Sequence, residues 1–158
     1  MHKTKIDISA ESREKLVEIL NARLADAIDL KSQAKQAHWN VKGMNFIALH
    51  ELFDQISTEA ETFIDDIAER VTTLGGTAMG TVRVAAQRTT LSEYPLEITD
   101  GESHVDALST ALATFGKQVR ADIDATDELG DADTADLLTG ISRSTDKFLW
   151  FVEAHIQR

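Results

Sequence analysis

The chain has 158 residues, 42% of them hydrophobic and 27% charged, with a single proline, Pro95, and no cysteine. The missing thiols exclude disulfides, thiolate zinc sites, iron–sulfur clusters and a cysteine nucleophile, while the length and apolar share suffice to bury the core of one domain without crosslinks. With 27 acidic against 16 basic residues the formal net charge is −11, a balance that solubilises and repels polyanions.

The opening run, MHKTKIDISAESREK, holds no continuous apolar segment. Neither a signal peptide nor a membrane span is therefore expected, and the cytoplasm is the default location. Residues 1–8 read as a short flexible tail carrying Lys3 and Lys5. The first helical pattern runs from about Ala10 to Ala37, with Ser9 or its rival Ser12 as cap and an inward stripe of Leu16, Ile19, Leu20, Leu24, Ala27 and Ala34. Arg23 falls on that stripe, where its charge needs a partner or an exit to solvent. After a turn at Gly43 the second helix is expected from about Phe46 to Leu74, stopped by Gly75 and Gly76. Residues 77–100 are too long for an ordinary loop, so a short helix near Val82 to Arg88 is expected within them. Further helices from about Glu102 to Ala125 and Thr134 to Ile156 flank the Gly130 region. No internal repeat or low-complexity tract is visible. The expectation is all-α: one domain over residues 1–158, an antiparallel four-helix bundle with a long crossover.

The second helix carries the chemistry. Leu49, Leu52, Phe53, Ile56, Ala60, Phe63, Ile67, Val71 and Leu74 make one apolar stripe. Two couples at i,i+4 spacing, His50 with Asp54 and Asp65 with Glu69, lie roughly 160° from it, on the outer side. Each couple suits half of a metal site. Such groups on an outer face are ordinarily solvated surface, and Asp54 and Asp65 sit roughly 16 Å apart along the axis, too far to share an ion. An antiparallel twofold partner changes the geometry, because His50 and Asp54 of one copy then face Asp65 and Glu69 of the other, generating two identical sites. His38, just before the Gly43 turn, is a fifth candidate. The E-x-x-H motif that builds sites inside single bundles is absent, since Glu153 and His155 are only two apart. Histidine and carboxylate donors suit iron moving between Fe(II) and Fe(III), with zinc as a competitor.

The run QAHWNVKGMNFIALHELFD at 36–54, together with IDDIAER at 64–70, resembles the ferroxidase signature of the Dps proteins, ferritin-like miniferritins also called DNA-binding proteins from starved cells. The likeness extends to YPL at 94–96, DADTADLL at 131–138 and SRSTDKFLWFVEAHI at 142–156, so it covers nearly the whole chain. It implies that His38, His50 and Asp54 of one subunit join Asp65 and Glu69 of its twofold mate in a diiron ferroxidase centre. Trp39 stands where the family often keeps a tryptophan beside that centre, with aromatic packing as its ordinary role.

The resemblance also implies a homododecamer that takes up Fe(II), oxidises it, commonly with hydrogen peroxide, and stores ferric mineral while protecting the cell from Fenton chemistry. Acids crowd the turn between the last two helices: Asp124, Asp127, Glu128, Asp131, Asp133 and Asp136. By the resemblance, whose family lines threefold pores with acids near this turn, Asp127, Asp131 and Asp136 are the candidate pore residues that would concentrate Fe(II). Direct DNA binding and nucleoid compaction is the competing function. It finds little support in the chain, because twelve copies of a −11 subunit make a shell of about −132 formal charge behind tails with two lysines each.

Overall fold

A computed structural model describes residues 1–157 as five helices: α1 (Ala10–Asn40), α2 (Phe46–Thr73), α3 (Val82–Arg88), α4 (Gly101–Glu128) and α5 (Ala132–Glu153). The helix starts are chemically marked. The Ser9 hydroxyl accepts from the Ser12 N–H at 3.0 Å, Thr81 caps α3 and Asp100 caps α4, each meeting an N–H that the helix itself leaves unpaired. The turn between α1 and α2 closes on Gly43, whose φ of 112° lies in the region that favours glycine. In the bundle α1 packs on α2 and α4 on α5, with α1 also touching α4 and the short α3.

The stripe expected on α2 is the face that is buried: all nine of its residues, from Leu49 to Leu74, lie in the core with Leu16, Leu20, Leu24, Leu108, Leu112 and Phe115. Phe53 and Phe115 are the largest fully enclosed side chains, each representing about 3–5 kcal/mol if cut to alanine. Helix ends differ from expectation where polar groups rather than periodicity set them. The first helix runs on through Asn40, so His38 is helical, and α5 stops at Glu153 rather than Ile156.

Arg23 does face inward, and it has partners there. Its Nη1 lies 2.7 Å from Asp26 and its Nε 2.8 Å from Asp122, while Asp26, fully enclosed, accepts from the Thr90 N–H at 2.6 Å and from both the Thr89 and Thr90 hydroxyls. The cluster thus pins the end of the crossover helix to α1 and α4; hydrogen bonds offset the cost of burying Asp26, whereas Arg23 and Asp122 are compensated by charge proximity alone. Burial pushes the Asp122 carboxyl up to about 6; Arg23 opposes that shift and Asp26 adds to it. Further along the crossover, the Tyr94 hydroxyl and His104 Nδ1 are hydrogen-bonded at 2.7 Å, and burial lowers the His104 pKa while it raises that of Tyr94.

Residues 1–8 are not a free tail. The His2 N–H donates to the Gly75 carbonyl at 2.7 Å, and Arg13, which also donates to the Ile8 carbonyl, reaches the Leu74 carbonyl at 2.9 Å. The start of the chain is therefore laid against the end of α2. Gly75, at φ 88°, permits the contact: a Cβ there would stand 2.7 Å from the His2 carbonyl oxygen.

Candidate metal centre

His38 and His50 are brought together by the hairpin of α1 and α2, their rings stacked at 3.7 Å between centroids and 20° between planes. Each ring holds the other residue's backbone. His38 Nδ1–H donates to the His50 carbonyl at 2.7 Å and His50 Nδ1–H donates to the His38 carbonyl at 2.8 Å. A carbonyl only accepts, so each Nδ1 carries a proton, and Nε2 is the ring nitrogen left without a backbone partner. The His38 carbonyl is available because α1 is ending. Its helical partner would be the Lys42 N–H, which turns instead to the Thr99 carbonyl at 2.9 Å, in the isolated bridge between Lys42 and Asp100.

Asp54 follows His50 by one turn and is half-exposed. Its carboxylate is hydrogen-bonded to the Lys35 ammonium, which holds its pKa below the usual carboxylate range against a smaller opposing effect of burial. Asp65 and Glu69 stand exposed on the same outer side of α2, and neither carboxylate takes part in an ion pair among the described residues. Also among the described residues, no three histidine or acidic side chains of one chain converge as a metal site. The structure brings His38, His50 and Asp54 into one neighbourhood and leaves Asp65 and Glu69 apart from it, so any ion site using all five needs a second copy.

Trp39 is 67% exposed; Met44, Phe46 and Ile47, in the turn and first turn of α2, are exposed too, and the Phe46 ring lies 5.0 Å from that of His50. Exposed apolar residues beside half-sites are what a contact between copies would cover.

Lys35 is the site residue that sequence reasoning missed. It precedes His38 by one helical turn, and that i,i+3 spacing was the signal available.

At the other end of α2, one expected pore residue is corrected. Asp131 is only 2% exposed; it takes Arg70 Nη2 at 2.8 and 2.9 Å, and its carboxylate caps α5 at the Thr134 N–H, 3.2 Å away, and binds the Thr134 hydroxyl. Burial works against its ionisation, but the Thr134 and Arg70 bonds prevail and its pKa is lowered overall. A carboxylate so engaged acts as a structural cap, with its oxygens already committed within the chain. Asp127 and Asp136 are exposed.

The bundle, its long crossover and the outward His/carboxylate half-sites define a ferritin-like protein, and residues 17–158 match the ferritin-like domain family. The DNA protection during starvation protein of Agrobacterium fabrum strain C58 is 46% identical over 156 residues, 99% of this chain and 96% of that one. Among solved structures, Dps of Mycobacterium smegmatis superposes with a TM-score of 0.95 at 30% identity over 100% of this chain and 90% of its own. DpsC of Streptomyces coelicolor does so with 0.94 at 32%, covering 99% and 91%. The chain belongs to the Dps family of miniferritins.

Proposed function

We propose that the protein oxidises Fe(II) and stores the ferric product inside a homododecameric shell, at diiron centres shared between twofold-related subunits. The observation that carries this is the reciprocal histidine clasp, which commits the Nδ1 of each ring to the other residue's carbonyl and so leaves the two Nε2 atoms as the nitrogens available to an ion. Here Fe(II) is the substrate. His38, His50 and Asp54 bind it from one subunit, and Asp65 and Glu69 of the mate bring the further negative charge that favours Fe(III). With hydrogen peroxide as oxidant, each of two Fe(II) ions gives one electron, the O–O bond breaks and two hydroxides form, so no hydroxyl radical is released. Zinc competes for the same donors. Exposed Asp127 and Asp136 are the acids we assign to the threefold pores, where their field would concentrate Fe(II), and Trp39 packs in the contact over the site. The compartment we assign is the cytoplasm; no helix among the described residues is long and apolar enough to cross a membrane.

Direct DNA compaction is disfavoured by the net charge of −11 per chain, since Lys3 and Lys5, although exposed, are held close to an acidic body by the seating of the first residues on Gly75. The decisive test is addition of hydrogen peroxide to the protein and Fe(II) without oxygen. Rapid growth of ferric absorbance, with the iron sedimenting with the shell, is expected. Oxidation no faster than in a protein-free control would overturn the proposal.

A further inference from the structure

The hairpin that carries His38 and His50 is closed from outside by the start of α4. Helix α1 gives way at Val41, whose φ of −61° and ψ of 140° are extended, and the N–H of Lys42 goes to the Thr99 carbonyl at 2.9 Å. Were Val41 and Lys42 helical instead, each would turn the chain by about 100° around the α1 axis, and α2 would leave the Gly43 turn in a direction that no longer sets His50 over His38. The segment that presents the Thr99 carbonyl is fixed in turn. Asp100, which pairs with Lys42 in the isolated bridge, caps α4: its carboxylate accepts from the Ser103 N–H at 2.9 Å and from the Ser103 hydroxyl at 2.7 Å. Gly101, the first residue of α4, lies so close to α2 that a Cβ there would stand 2.8 Å from Leu49 Cδ1, and Leu49, the neighbour of His50, is enclosed in the core. The φ of Gly101 is not left-handed, so this glycine gives room rather than backbone freedom.

We infer that Asp100 and Gly101 are positioning residues for the metal centre: by capping α4 and letting its first turn close on Leu49, they hold the Thr99 carbonyl where it ends α1 and thereby keep the two imidazoles clasped. This rests on the shared-centre reading above, in which neither residue is a ligand. Their effect is on the fraction of molecules whose clasp is formed, because an ion binds that fraction and the apparent affinity falls with it. Losing an outer support of a ligating histidine weakens metal binding by about 10- to 100-fold. The steric change at Gly101 acts through the Thr99 bridge rather than on the rings themselves, so the lower end, about tenfold, is expected for Gly101→Ala. Removing the cap shifts the start of α4 toward a frayed state by about fivefold, which is the ceiling on what Asp100→Ala costs in affinity. The coupling is reciprocal, so an ion that needs the clasp also protects the bridge and the first turn of α4.

The test is calorimetric titration of the assembled protein with Co(II), a redox-inert stand-in, alongside nitrogen NMR of the histidine rings, for the wild type, Gly101→Ala, Gly101→Ala combined with Leu49→Val, Asp100→Ala and Asp100→Asn. Three results together support the inference. Gly101→Ala binds about tenfold more weakly and loses the Nδ1-protonated signature of His38 and His50; Leu49→Val, which removes the methyl that the new Cβ meets, restores both; and Asp100→Asn, which still caps, binds more tightly than Asp100→Ala. Affinity in Gly101→Ala within about twofold of the wild type, against the tenfold expected, overturns it. So does a loss that Leu49→Val fails to restore, or one that leaves the ring spectra unchanged, since a general loosening of the fold would then be the cause. A wild type that binds no Co(II) removes the shared centre and the inference together, whereas unchanged binding in the variants removes the inference alone.

Discussion

Removing the Arg70 guanidinium should cost the fold more than any surface change on α2. Its partner Asp131 is 2% exposed and receives two Nη2 contacts at 2.8 and 2.9 Å, so Arg70→Met strands a buried carboxylate. Breaking a buried pair from one side costs about 3–5 kcal/mol. The Thr134 bonds remain to stabilise the anion, which places the expectation at the lower end, about 3 kcal/mol. At about 3 °C per kcal/mol for a chain of this size, that is a fall of about 9 °C in Tm. Asp131→Asn should be milder, about 1–2 kcal/mol, because asparagine is also a good cap and the orphaned guanidinium, 17% exposed, retains some solvent. Because the pKa of Asp131 is lowered on folding, the stability it contributes is present above the ordinary aspartate pKa and is lost as pH falls through the lowered one. The gap between wild type and Asp131→Asn should narrow accordingly in acid. The assay is urea and thermal unfolding at one fixed protein concentration, since assembly contributes to apparent stability. Arg70→Met unfolding within 1 kcal/mol of wild type, or less damaging than Asp131→Asn, would refute the reasoning, which takes burial of the charge to be the dominant cost.

Shells made from a His50→Ala chain and an Asp65→Ala chain should recover peroxide-driven oxidation that neither homogeneous shell has, because one of the two sites in each mixed pair is then whole; no recovery on mixing would mean the ligands do not come from two subunits. Burial raises the Asp122 carboxyl to about 6 from an ordinary 3.8, so the folded state holds that proton more tightly than the unfolded one and its contribution to stability declines as pH rises through that window. Asp122→Asn should gain on the wild type between pH 4 and 6, read by urea midpoints at each pH. Gly75→Ala, which strains a backbone at φ 88° and sets a Cβ 2.7 Å from the His2 carbonyl, should cost about 1–2 kcal/mol and release the first residues. Faster tryptic cleavage after Lys3 and Lys5 would register the release, and unchanged cleavage would show that the tail does not depend on this seat. If the seating is what restrains DNA contact, the same variant should shift DNA in low salt more than the wild type does.

Where local chemistry and periodicity agreed, the fold was legible. The α2 stripe from Leu49 to Leu74 has only one good helical phase, so its buried face and the outward side bearing His50, Asp54, Asp65 and Glu69 followed from spacing alone. Ser9, Gly43 and Gly75 marked ends for the same reason: each meets a local backbone requirement. What stayed illegible was long-range. Nothing near Asp131 in sequence announces that Arg70, 61 positions away, will bury it, so a cap at the start of α5 passed for one more acid in a solvated run. Arg23 signalled the need for a partner but not that Asp26 and Asp122 would both supply it. The tail looked flexible because its composition is polar, yet its docking uses backbone atoms that composition does not report. The stacking of His38 on His50 likewise depends on Lys42 turning to Thr99, a contact across 57 residues of chain made by the crossover.

The histidine clasp separates holding from handling. In each ring one nitrogen is committed to the neighbouring helix, so in the proposed centre the other would already be in position before an ion arrives and little side-chain freedom would be lost on binding. A site of this kind is a fixed berth: it does not close around its occupant, and it keeps its shape when the occupant moves on. On the function proposed above, repeated loading and discharge would demand no refolding of α1 or α2.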